Sequence, residues 1–192
     1  MVVTQDDALA EKLRLLRSHG MTSLTWDRHK GHAWSYDVVD LGYNYRIDEM
    51  RSALGRVQLE KLRGHNQLRQ ECTLLYQDLL QELCPEVGVP FEGHPGKSAC
   101  HLMPILLPDG VVREEIMEKM KAKGVQTSIH YPPIHHFSAY SHLVSGSRLD
   151  LKITDALAPR EVTLPLYPAL SSADVRYVVE TLREAIPDIS EP

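Results

Sequence analysis

Apolar residues recur at helical spacing in several blocks of the chain, separated by stretches with other periods. Leu9, Leu13 and Leu16 form the first block, behind Asp6 and Asp7 and ahead of Gly20. Carboxylates favour the start of a helix and cations its end, and Lys12, Arg14 and Arg17 load the end, so a helix is predicted over residues 6–18. The longest signal begins at Asp48, runs without proline to Cys84 and stops at Pro85. Met50, Leu54 and Val57 make one apolar stripe there, and Leu68, Cys72, Leu75, Tyr76, Leu79 and Leu83 make a second. Gly64 lies between the stripes, which leaves one bent helix and two consecutive helices both open. A helix of this length bridges structural units or carries a subunit interface.

Past the Pro/Gly-rich turn at Val89 to Gly96 the pattern becomes mixed. Ala99 to Leu107 reads as a short strand, with Pro104 confining it to an edge or bulge. Val111 to Lys123 reads as a helix with Val112, Ile116 and Met120 on one face and Gly124 as its stop. Val125, Thr127, Ile129 and Tyr131 alternate with Gln126, Ser128 and His130, which predicts a strand. A helix over Leu149 to Ala158 and an apolar segment from Val162 to Leu166 follow. The last helix starts at Ser171 with a capping box to Asp174 and buries Val175, Val178, Val179, Leu182 and Ile186. Strand, helix, strand and helix in this order predict an α/β fold.

Composition narrows the class. A net charge of −5, with no basic block, argues against a nucleic-acid or anionic-membrane surface. Cys72, Cys84 and Cys100 form neither a disulfide framework nor a metal-binding pair, as expected in a reducing compartment. No signal peptide and no membrane-spanning run is visible, so a cytoplasmic location is expected.

Two places concentrate recognition groups. Gly42-Tyr43-Asn44-Tyr45-Arg46 precedes the long helix, where free backbone N–H groups, the Asn44 amide and the Arg46 guanidinium suit an anion. Arg46 pairing with Asp40 or Asp48 is the competing explanation. The second place is Ser128 to His136, where His130 ends the predicted strand and His135 and His136 follow a rigid Pro132-Pro133 turn. With His142 they raise the possibility of a metal hydrolase, but no acidic residue lies between Glu118 and Asp150, and no metal site is predicted. Met21 to Leu41 has no period and holds Trp26, Arg28 and Trp34; a functional loop and a surface excursion fit it equally.

Five stretches in series resemble one family. They are MVVTQDDALAEKLRLLRSHGM, WDR at Trp26 to Arg28, LGYNYRIDEMRSALGRVQLEKL, KGVQTSIHYPPIHH and REVTLPLYPALSSADVRYVVETLREAI. The chain is similar to the C-terminal half of the DegT/DnrJ/StrS sugar aminotransferases, which use pyridoxal phosphate. The resemblance implies the end of the large cofactor domain over residues 1–47, a long connecting helix over 48–84 and a small α/β domain over 85–192. It implies that Asn44 reaches the cofactor phosphate of the other subunit of a homodimer. Arg28, Tyr43, Arg46, His130 and His135 match positions near the pocket for a nucleotide sugar, the substrate that receives an amino group from an amino-acid donor. The Schiff-base lysine has no counterpart, since Lys30 and Lys97 stand in no matching motif, and no residue here is assigned a covalent role. A truncated or split chain, inactive alone, is therefore expected, with a non-catalytic module that complements a separate N-terminal half as the alternative.

Overall fold

In a computed structural model, the described residues are 2–22, 36–91, 93–140 and 151–187. The chain forms two compact units, Met1–Glu60 and Lys61–Pro192.

In the first unit, α1 spans Asp7–Leu16, and the Asp6 carboxylate accepts from the Leu9 N–H at 3.0 Å. That bond satisfies one of the orphan donors of the first turn. Beyond α1 the chain forms one leg of a short antiparallel ribbon, with bridges Ser18–Asn44 and Met21–Val38. The His19 N–H donates to the Tyr43 carbonyl at 2.9 Å, and the Tyr45 N–H to the Arg17 carbonyl at 3.0 Å. Two glycines make this approach possible. A Cβ on Gly20, whose φ is +70°, would lie 2.0 Å from the Asp40 carbonyl oxygen. A Cβ on Gly42 would lie 2.1 Å from the Gly20 nitrogen. Among the described residues of this unit only Ser18 and Gly20 are buried, and neither carries a large apolar side chain.

The long helix α2 is a single element, Glu49–Leu83. At 1.5 Å per residue it is about 52 Å long. The Asp48 carboxylate accepts the Arg51 N–H at 2.8 Å at its start. Gly64 does not interrupt it. The first predicted stripe, Met50, Leu54 and Val57, is exposed, Met50 to 83%. The second supplies Tyr76 and Leu79 to the core, with Leu80 beside them; Cys72, Leu75 and Leu83 are partly buried against it and Leu68 is exposed.

In the second unit, β1 (Met103–Leu106) pairs antiparallel with β2 (Glu161–Leu164), Met103 opposite Leu164 and Leu106 opposite Glu161. Single bridges flank the pair, Gly88 to Leu106 and Ser128 to Thr163. Helices α3 (Arg113–Ala122) and α5 (Ser172–Ala185) close the core with Ile116, Met120, Val175, Val178, Val179 and Leu182. Between them lies the short α4 (Lys152–Leu157). The capping box forms as expected, with the Ser171 hydroxyl and Asp174 exchanging bonds. Val112 departs from its predicted face, because it precedes α3 and stays exposed.

The predicted strand over 125–131 does not form. Ser128 and Thr163 exchange both backbone bonds, at 3.1 and 2.7 Å, and the ladder ends there. The antiparallel register would next set His130 opposite Glu161. The Glu161 side-chain carboxylate takes the His130 N–H instead, at 2.9 Å.

Candidate functional site

The stretch Gly42 to Arg46 is the returning leg of the ribbon in the first unit. Extended backbone sends alternate side chains to opposite faces. Tyr43 and Tyr45 accordingly stack, ring centroids 4.9 Å apart and planes within 9°. Asn44 and Arg46 share the other face, where the Arg46 Nε donates to the Asn44 Oδ1 at 3.2 Å. The Arg46 Nη2 also lies 3.1 Å from the His19 Nε2. Guanidinium has no acceptor, so the imidazole nitrogen accepts and the His19 proton sits on Nδ1. Arg46 thus bonds to Asn44 and His19, while Asp48 pairs with Arg51 at 3.4 Å and Asp40 accepts the Leu41 N–H at 2.8 Å. The competing ion pair to either aspartate is not made. With its carbonyl taken by Arg46, Asn44 has its amide NH2 to offer a ligand. Ser18, bridged to Asn44 and 1% exposed, has a hydroxyl with no hydrogen-bond partner among the described residues.

In the second unit His130 sits at the broken ladder, partly buried. The Thr163 hydroxyl donates to the Glu161 Oε1 at 2.6 Å and therefore accepts from the His130 Nδ1, 2.9 Å away. The carboxylate closes the circuit through the His130 N–H. This arrangement holds the imidazole in one tautomer, with Nε2 left as an acceptor. No local pattern announces Glu161 or Thr163, which lie 31 and 33 residues away.

His135 and His136 share the 3-10 turn Ile134–His136. Both Nε2 atoms face the Asp155 Oδ1, at 2.7 and 3.0 Å. The hydrogen bond from His135 holds the Asp155 carboxyl below the usual carboxylate range. The sequence places no acid next to these histidines, and the fold brings one from α4. His130 is not a member of this group. Arg28 and His142 lie outside the described residues.

The donors on the Asn44 face fit the phosphate of pyridoxal phosphate. Lys12, the one lysine among the described residues of the first unit, lies exposed on α1. In the second unit Lys119 donates to the Ala185 carbonyl at 3.1 Å, while Lys121 and Lys123 pair with Glu118 and Glu184.

Known proteins are similar to this chain in sequence and in fold. The spore coat polysaccharide biosynthesis protein SpsC of Bacillus subtilis is 31% identical over 191 residues, which are 97% of this chain and 49% of that protein. The UDP-4-amino-4,6-dideoxy-N-acetyl-beta-L-altrosamine transaminase of Campylobacter jejuni is 32% identical over 183 residues, 94% of this chain and 46% of that protein. The solved structure of Helicobacter pylori PseC, an aminotransferase involved in the biosynthesis of pseudoaminic acid, matches with a TM-score of 0.83. It is 29% identical and covers 95% of this chain and 47% of its own. The chain spans about half the length of the curated relatives it matches. Over residues 1–183 it matches the profile of pyridoxal-phosphate enzymes to which it belongs, the DegT/DnrJ/EryC1/StrS aminotransferase family.

Proposed function

We propose that this chain supplies one half of a shared active site in an aminotransferase acting on a keto-sugar nucleotide, with an amino acid such as glutamate as donor. The carrying observation is the Asn44 amide, exposed on the ribbon and oriented by the Arg46 Nε at 3.2 Å. When bound, pyridoxal phosphate serves as the electron sink of the reaction. Asn44 donates its amide protons to the phosphate, held mainly by the other subunit of a homodimer, and Arg46 adds a positive charge beside it. The stacked Tyr43 and Tyr45 offer a flat face, and Arg28 and the His130 Nε2 serve the nucleotide sugar. His135, partnered by Asp155 at 2.7 Å, serves the nucleotide sugar as well.

In this reading residues 1–47 belong to the large cofactor domain, 48–84 to the connecting helix and 85–192 to the small domain. In this reading the 192 residues alone do not transaminate, because the Schiff-base lysine of the family has no counterpart in the stretches that carry the resemblance. A complementing module is the second reading, favoured by a first unit with no buried apolar side chain among its described residues and by an exposed Met50, Leu54 and Val57 stripe. Co-expression with a lysine-bearing N-terminal half from a family member tests both. Recovered pyridoxal-phosphate absorbance and transamination, both weakened by Asn44→Ala, are the expected result. An Asn44→Ala pair that retains the cofactor as tightly as the unaltered pair contradicts the assignment.

A further inference from the structure

We propose that His135, His136 and Asp155 hold one divalent transition-metal ion of the zinc or cobalt class. Adjacent residues in a tight helical turn project in different directions. Here both imidazoles nevertheless turn to one carboxylate oxygen, with ring centroids 4.3 Å apart. The three ligand atoms lie within 4.8 Å of one another. A tetrahedral ion with bonds of about 2.0–2.1 Å needs its ligand atoms about 3.3 Å apart. The two nitrogen–oxygen separations, 2.7 and 3.0 Å, must therefore open by only a few tenths of an ångström. The side chains of His136 and Asp155 are 56% and 48% exposed and free to make that adjustment. His135, at 14%, is the least exposed of the three and serves as the anchor.

The donor set also selects the ion. Two imidazoles and one carboxylate suit zinc or cobalt and discriminate against calcium and magnesium, which take oxygen ligands. In the metal-free protein the two N–H groups occupy the Asp155 oxygen, so binding exchanges hydrogen bonds for coordination. Three protein ligands leave a fourth position for water. None of these residues carries the phosphate assignment of Asn44, and metal binding is read on this chain without cofactor or sugar, so its failure and that of the aminotransferase reading are distinguishable.

The test uses the untagged full chain, titrated with Co2+ and followed by its visible absorption bands, with Zn2+ competition. One Co2+ per chain, displaced by Zn2+ and not by Mg2+, is expected, with affinity falling at least tenfold in Asp155→Asn and in His136→Gln. Circular dichroism verifies that both variants are folded. The chain has ten histidines, so the variants decide where an ion sits. Absence of stoichiometric binding, or unchanged affinity in either folded variant, overturns the proposal.

Discussion

Thr163 accepts a hydrogen bond from the His130 Nδ1 because its own proton is given to Glu161, 2.6 Å away. One hydroxyl thus sets the tautomer of an imidazole 33 residues distant in sequence. Thr163→Val removes that link and leaves the Nδ1 without its acceptor. Thr163 is buried, so a loss of about 1–3 kcal/mol in urea unfolding is expected. Nitrogen NMR should show the His130 ring leaving the single Nδ1–H form, whereas Thr163→Ser retains it.

The ribbon of the first unit rests on two glycines that meet backbone to backbone. Gly42→Ala places a methyl group 2.1 Å from the Gly20 nitrogen, with no flexible side chain available to yield. Amide exchange at His19 and Tyr45 should accelerate in this variant, while amides of β1 and α5 keep their protection. Ser18→Ala should act oppositely. It deletes a buried hydroxyl that has no partner among the described residues, and stability should stay within about 1 kcal/mol or rise.

The capping box predicts a pH dependence. The Ser171 hydroxyl, and then its backbone N–H, hold the Asp174 carboxyl below its ordinary value. A carboxyl whose folded pKa is depressed contributes stability above the unfolded value near 4 and loses it as pH falls through the folded value. The difference in urea midpoint between the unaltered chain and Asp174→Asn should therefore be constant at neutral pH. It should shrink as the pH drops below about 4. Ser171→Ala should cost about 1 kcal/mol at pH 7.

Burial sets the reactivity of the cysteines. Desolvation raises the Cys84 thiol to about 11, the chief cause being its position in the core. Cys84 should resist alkylation at pH 8 in the folded chain and react at once in denaturant, which mass spectrometry measures directly.

Local period carried much of the fold. The proline-free run to Cys84 appears as one helix, and the apolar positions from Val175 to Ile186 are the buried face of α5 and its end. Contacts set by distant residues were not legible. The alternation at 125–131 predicts a strand, yet the Glu161 side chain intercepts the bond that would extend it. Asp155 reaches His135 across 20 residues, and Ser18 reaches Asn44 through the crossing at Gly20 and Gly42. The apolar spacing of Met50, Leu54 and Val57 identified a helix but could not say what covers it. The phosphate assignment of Asn44 rests on resemblance, since charge and spacing favour an anion only slightly over an Arg46 ion pair.

We propose, centrally, that Asn44 offers a ligand to the cofactor phosphate and that no lysine of these 192 residues takes the cofactor covalently. Incubation of the full chain with one equivalent of pyridoxal phosphate and glutamate, borohydride reduction and peptide mass spectrometry tests it directly. The account predicts no stoichiometric phosphopyridoxyl-lysine at any position. A single lysine modified to near completion would contradict it.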